Sequence, residues 1–288
     1  MRSIGRLGET RFLGLLAILA VASLALARAT GERVPVSAGS LLLLGGGEVT
    51  PEIARRFVAL AGGRDGHFVY IPTAAPDAEI SPPELKMWFR MTFGVDNVTI
   101  LHTRDRSLAD TDSFAAPLET ADGVWFGGGR QWRIADAYLG TRVEAALHAV
   151  LRRGGIVAGT SAGASILASY LVRGAPEGNW ILSAPGHERG FGLLPRAAVD
   201  QHVDRFHREN DIASILRLHP GLLGIGLDEA TAITVINDSC TVIGNGRVIL
   251  HDGKQHDGLP YAILHEGDRF SVAPTVVAAA GSPMPMHP

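Results

Sequence analysis

Gly159-Thr160-Ser161-Ala162-Gly163 sets a hydroxyl between two glycines and follows the apolar run Gly155-Ile156-Val157-Ala158. The stretch beyond it, Ala164 to Leu171, reads as a helix. A buried strand, a sharp turn centred on Ser and then a helix make a nucleophile elbow. Small neighbours let the backbone take a strained turn that pushes the Ser161 hydroxyl into a cleft. The helix start behind it aims free N–H groups at developing negative charge. The chemistry this predicts is attack on a carbonyl carbon. The competing role for Thr160 or Ser161 is that of a helix cap.

A Ser nucleophile needs a base within hydrogen-bond reach, and the base needs an orienting acid. His202 closes the strand-like run Ala197-Ala198-Val199-Asp200-Gln201-His202, which puts it on the same rim as Ser161. His187, His207 and His219 fall in loop or helix contexts, and His251, His256 and His265 in a region of hairpins. For the acid, Asp228 and Glu229 close the run that starts at Gly224. Adjacent strand residues point to opposite faces, so only one of the two can reach His202.

These residues need a sheet to hold them. Ser40–Leu44, His67–Pro72, Asn97–His102, Gly123–Phe126 and Gly155–Ala158 read as short apolar strands. Between them Pro51–Ala61, Pro82–Met91, Trp132–Leu139 and Arg142–Arg153 carry helical spacing. Unbroken apolar strands alternating with helices predict a three-layer αβα sandwich around a mainly parallel sheet. Glycines close the first, fourth and fifth strands, and sites in open parallel sheets form at those ends. Arg205–Leu218 is expected as a helix and Thr231–Ile236 as a strand. Cys240–Ile243 and Arg247–His251 are expected to form a hairpin about Gly244-Asn245-Gly246.

The chain has 288 residues, a formal net charge of −3 and a single cysteine, Cys240. A mildly acidic chain with no basic run argues against nucleic acid and anionic membrane as partners. One cysteine permits no internal disulfide, and among apolar neighbours it reads as packing. Arg2, Arg6 and Arg11 precede the apolar stretch Phe12 to Ala27, with small residues up to Ala29. That is the plan of a signal peptide over 1–29, and it predicts a secreted or periplasmic protein. The rest reads as a single α/β domain over 30–273 and a frayed tail over 274–288. The spacing of His202, Asp204 and His207 does not stack metal ligands on one helix face, so neither metal nor cofactor is expected.

The chain resembles the cyanophycinase and aspartyl-dipeptidase family of serine peptidases. The pieces that match are Gly45-Gly46-Gly47-Glu48, Phe126-Gly127-Gly128-Gly129-Arg130-Gln131, Gly159 to Ser165, Asp200-Gln201-His202 and Gly224 to Ala232. The resemblance implies a flavodoxin-like or class I glutamine amidotransferase-like fold. It implies Ser161 as nucleophile, His202 as base and Glu229 as acid. It implies oxyanion donors at Ala162, Gly128 and Gly129, and substrate contacts from Gln131, Asp200 and Gln201. Two features depart from the family. Arg130 stands where an acid is usual, and of a spaced set of arginines after the His only Arg208 remains, with Phe206 and Asp211 at the other positions. The expectation is an exported exopeptidase or isopeptidase that forms an acyl-enzyme on a short acidic peptide. Arg130 and Arg208 would meet the substrate carboxylate, and Asp211 would repel anions. Oligomerisation as a homodimer is compatible with the sequence.

Two other functions compete. An α/β-hydrolase-type esterase would need Ser, acid and His in that order, using Asp228 or Asp238 with His251 or His265. A catalytically silent binding protein would keep the pocket without turnover.

Overall fold

A computed structural model describes residues 39–272. The segment read as a signal peptide and the tail from 274 lie outside the described residues. Five parallel strands form one side of the larger sheet, out to its edge at β3: β1 (Ser40–Leu44), β2 (Phe68–Ile71), β3 (Val98–Ile100), β4 (Gly123–Phe126) and β5 (Ile156–Thr160). Antiparallel β9 (Thr231–Ile236), β10 (Ser239–Gly244) and β13 (Arg269–Ser271) extend it, in the order β13-β10-β9-β1-β5-β4-β2-β3. A second sheet has the order β12-β11-β8-β7-β6, from β6 (Ala168–Tyr170), β7 (Leu194–Gln201), β8 (Leu223–Leu227), β11 (Val248–His251) and β12 (Ala262–Leu264).

The apolar strands are buried on both faces because each face has its own cover. Leu42, Leu44, Phe68, Tyr70 and Trp125 pack with Ile53 and Phe57 of α1 (Pro51–Leu60) and Phe89 and Phe93 of α2 (Pro82–Phe93). Short helices α3 (Arg106–Ala109) and α4 (Asp112–Glu119) follow β3. Leu41, Leu43, Val124, Phe126 and Val157 point the other way, into a core shared with α5 (Gln131–Tyr138), α6 (Arg142–Arg152) and the smaller sheet. The sandwich is therefore α/β as expected, with one outer layer part helix and part sheet.

Three local expectations differ from the structure. The helix after Ser161 is a single turn, α7 (Ala162–Ser165), and the chain then enters β6, which pairs with β7. The Ser165 hydroxyl donates to Val199 O at 3.0 Å and Ser169 Oγ accepts from Ala197 N at 3.1 Å, so pairing with β7 overrides helical composition. The region after His202 is broken into α8 (Val203–Phe206) and α9 (Ala213–Leu218), because His207 takes a left-handed conformation at φ 54°. Cys240–Ile243 and Arg247–His251 do not pair with each other. β10 pairs with β9 and β11 with β8 and β12, so the chain crosses between sheets at Gly244–Gly246.

Candidate active site

The C-terminal ends of β1, β4, β5, β7 and β8 converge. The turn after β1 ties three of them together. Leu44 O accepts from Ser161 N at 2.9 Å, Gly45 O from His202 N at 2.9 Å and Gly46 O from Ala230 N at 2.8 Å. Three successive carbonyls thus fix the backbone at or beside Ser161, His202 and Glu229.

Ser161 sits at φ 52° and ψ −114°, a region that side chains other than glycine rarely adopt. Such strain persists where surrounding structure over-determines it. Here Gly163 packs so closely on β4 that a Cβ would stand 2.5 Å from Phe126 O. The turn therefore keeps its small residues, and Ser161 faces the cavity.

His202 follows β7 and also has a positive φ, 54°. Its Nε2 lies 2.8 Å from Ser161 Oγ, and its Nδ1 lies 2.6 Å from Glu229 Oε1. Glu229 is held in turn by Asp204 Oδ1, which accepts from its N–H at 2.9 Å. Asp228 and Glu229 both lie past the end of β8, and Asp228 turns to a different partner. Its buried Oδ2 accepts from Arg247 N at 2.8 Å and Arg247 Nε at 2.9 Å. His251 Nε2 donates to Glu209 O at 2.8 Å, so Asp228 and His251 do not form the acid–base pair an esterase could use. Cys240 is buried, and burial pushes its thiol up to about 12, which leaves no thiolate near neutrality.

A cavity of about 480 Å³ opens beside Ser161 and His202, lined by Gln131, Gln201, Asn179, Arg205 and Phe206 among others. Gly129 also lines it, and neither the Gly128 nor the Gly129 N–H has an acceptor among the described residues. Ala162 is the first residue of α7, where an N–H has no intrahelical partner. Gln131 donates to Val172 O at 2.7 Å. Gln201 is 4% exposed, and its Oε1 has no partner among the described residues.

The charged residues are arranged differently from the sequence expectation. Asp200 is 1% exposed and receives a bidentate Arg173 guanidinium, Nε and Nη2 each at 2.8 Å. Arg173 also donates to Asp211 Oδ2 at 2.6 Å. Burial pushes the Arg173 pKa down, but hydrogen bonds and charge from Asp200 and then Asp211 outweigh it, and the net shift is upward. The Asp211 charge is therefore compensated by Arg173. Arg208 lies behind the cavity wall, donating to Gln201 O at 2.9 Å, and burial depresses its pKa. Arg130 donates to Ala175 O at 2.5 Å. Neither Arg130 nor Arg208 lines the cavity; among the described residues the arginine that does is Arg205.

Sequence reasoning missed Arg173, Asn179 and the placement of Arg205. None sits in a motif. Arg173 meets Asp200 only because β6 runs beside β7, a pairing hidden behind helical composition.

A serine facing an imidazole at the carboxyl ends of parallel strands is the arrangement of the serine-type hydrolases. The chain belongs to peptidase family S51, whose sequence model matches residues 41–243. Membership makes it a peptidase. A cyanophycinase from Trichormus variabilis is 31% identical over 264 residues, covering 84% of this chain and 88% of that one. A cyanophycinase from Geminocystis herdmanii is 29% identical over 225 residues, covering 75% and 81%. Among solved structures, a peptidase from an acI-B1 Actinobacterium superposes with a TM-score of 0.65 at 28% identity, covering 82% of this chain and 98% of that one. A Listeria monocytogenes structure with a TM-score of 0.53 and 15% identity, covering 72% and 99%, shares the fold.

Proposed function

We propose that the protein is an exported serine-type exopeptidase or isopeptidase that hydrolyses an amide bond in a small acidic peptide. The observation that carries this reading is the unbroken hydrogen-bonded chain from Ser161 Oγ through His202 to Glu229, with contacts of 2.8 and 2.6 Å. Ser161 Oγ attacks the amide carbonyl while His202 Nε2 takes its proton. Glu229 holds the imidazole in the tautomer that accepts at Nε2 and stabilises the imidazolium. The oxyanion is met by N–H groups of Gly128, Gly129 and Ala162, each such donor contributing roughly 3 to 4 kcal/mol. His202 then protonates the leaving amine, and the C–N bond breaks to leave an ester on Ser161. Water, deprotonated by His202, attacks that ester and releases the acid. Gln131 and Gln201 offer neutral polar contacts to the acyl portion.

A fluorophosphonate probe tests the nucleophile. The wild type is expected to be labelled and Ser161→Ala to stay unlabelled. An unlabelled wild type would instead favour a silent binding protein. Export rests on the basic and apolar segment before Ala29. The mature protein is expected to begin near Arg28 or Thr30, and intact Met1 in a soluble cytosolic fraction would sink this part.

A further inference from the structure

Phe206 is an apolar residue in a cavity lined by amides and charges: the residue is 50% exposed and lines that space. It does not pack into the core. It stands edge-on to the His202 imidazole, with centroids 5.9 Å apart and planes at 71°. Two guanidiniums flank it, Arg208 at 4.5 Å from behind and Arg205 at 5.7 Å. Arg208 is buried and already donates to Gln201 O, so it holds the ring in place by cation–π contact. Arg205 has a side chain 63% exposed, and among the described residues its ion pair is a 3.6 Å contact to Glu229, which leaves donors toward the cavity it lines.

The position of this pair relative to His202 determines which part of a substrate it meets. The base that activates Ser161 must later protonate the leaving amine, so the leaving residue sits on the imidazole side of the scissile bond. Phe206 and Arg205 are on that side. An exposed ring next to an exposed guanidinium presents an apolar surface and a carboxylate fork at adjacent points. Trp180, 73% exposed on the loop that supplies Asn179 to the cavity, adds a further aromatic surface nearby in sequence.

We propose that Phe206 and Arg205 form the leaving-group subsite, which takes a residue with an apolar side chain and a free α-carboxylate. Phe206 covers the side chain and Arg205 binds the carboxylate. A lysine or arginine leaving residue is disfavoured, because its cation would meet Arg205 and the flanking Arg208. The substrate class is then a dipeptide or short peptide ending in an aromatic or large aliphatic residue. This inference rests on the peptidase reading above, and its test is separable because it measures binding.

The probes are α-Asp-Phe, α-Asp-Gly, α-Asp-Lys and α-Asp-Phe amide, titrated into the Ser161→Ala protein by calorimetry. α-Asp-Phe is expected to bind at least tenfold tighter than each of the others. Adding Phe206→Ala should erase the difference between Phe and Gly, while Phe206→Tyr should keep it. Adding Arg205→Ala should erase the difference between acid and amide and leave the Phe-to-Gly ratio alone. Circular dichroism on each variant separates loss of fold from loss of contact. Equal dissociation constants for the four probes, no measurable binding of any of them, or tightest binding of α-Asp-Lys would overturn the proposal. Failure of the probe to label wild-type Ser161 would strike the peptidase mechanism instead, and these binding ratios would still be readable.

Discussion

Gly46 lies so close to the His202 imidazole that a Cβ there would stand 2.6 Å from Nε2 and 2.7 Å from Nδ1. The glycine also sits at φ +115°, which a larger residue adopts only with strain. Gly46→Ala should therefore displace the imidazole from Ser161. Misplacement of about 1 Å at a reacting group costs on the order of a hundredfold in rate. We expect kcat to fall by at least about a hundredfold, with about 1 to 3 kcal/mol lost in stability. Turnover and urea denaturation of the same preparation check this. A fully active Gly46→Ala protein would show that the close approach is not needed.

Asp228 and Glu229 are neighbours with separate partners, and the substitutions should separate them. Glu229→Gln removes the carboxylate 2.6 Å from His202 Nδ1, and loss of this orienting group should lower kcat by several orders of magnitude. The fold should be unaffected, because Glu229 is held through its backbone by Asp204. Asp228→Asn weakens the contacts with Arg247 instead, so it should cost stability, about 1 to 3 kcal/mol, with little change in kcat. In the Ser161→Ala/His202→Ala double variant the defect should be little worse than in either single one, since the residues act as a unit. Retention of kcat in Glu229→Gln and loss in Asp228→Asn would move the acid one residue along the chain.

The parts of the fold that could be read from sequence were those whose partners are close in pattern. Ser40–Leu44 and Gly123–Phe126 are apolar at every position because both faces are covered, and that signature needs no knowledge of what covers them. Ser161 and His202 were legible as strand-end residues, but they follow strands of different sheets, and the turn after β1 is what joins them. The choice of Glu229 over Asp228 was not legible, because both lie in the turn past β8, where strand alternation no longer sets side-chain direction. The helix expected beyond Ser161 is cut short although Ser165 and Ser169 have the i,i+4 spacing of a helix face, because both hydroxyls bond to β7 instead. Its pairing with β7 decided the matter, and that pairing also brought Arg173 to Asp200.

Stability should fall as the pH drops below neutrality. Burial holds the His251 pKa below its ordinary value of 6.5, against smaller opposing effects from Glu209 and Asp252. His102 is depressed as well, by burial and then by Arg104. Above 6.5 both rings are neutral whether folded or not, and there is no effect. Below 6.5 the unfolded chain binds protons that the folded chain does not, which favours unfolding. Each fully unmatched proton contributes a slope of about 1.4 kcal/mol per pH unit. Urea midpoints measured from pH 7.5 down to pH 5 should decline, and His251→Gln should flatten the decline. An unchanged slope in that variant would assign the effect elsewhere.

Arg173 joins the wall of the cavity to the interior, and its removal should have two distinguishable effects. The guanidinium is 3% exposed, forks onto Asp200, reaches Asp211 and donates to Asn179 O at 2.9 Å. Arg173→Met leaves the Asp200 carboxylate buried with only Arg208, 3.9 Å away, as a counter-charge. Breaking a buried pair by removing one partner costs about 3 to 5 kcal/mol. Arg173→Lys should rescue little, because an ammonium cannot reproduce the two parallel bonds. Adding Asp200→Asn to Arg173→Met should restore part of the loss, since the unpaired charge is then gone while Asn can still accept from Gln201 N. The second effect is on binding. With Asn179 O released, the Asn179 part of the cavity wall loses its anchor, so the Asp200→Asn/Arg173→Met protein should recover part of its stability yet keep a raised KM. Denaturation and steady-state kinetics on the wild type, the two single variants and the double variant decide it. Strict additivity in stability, or a KM that returns with the fold, would reduce Arg173 to a packing residue with no part in holding the cavity.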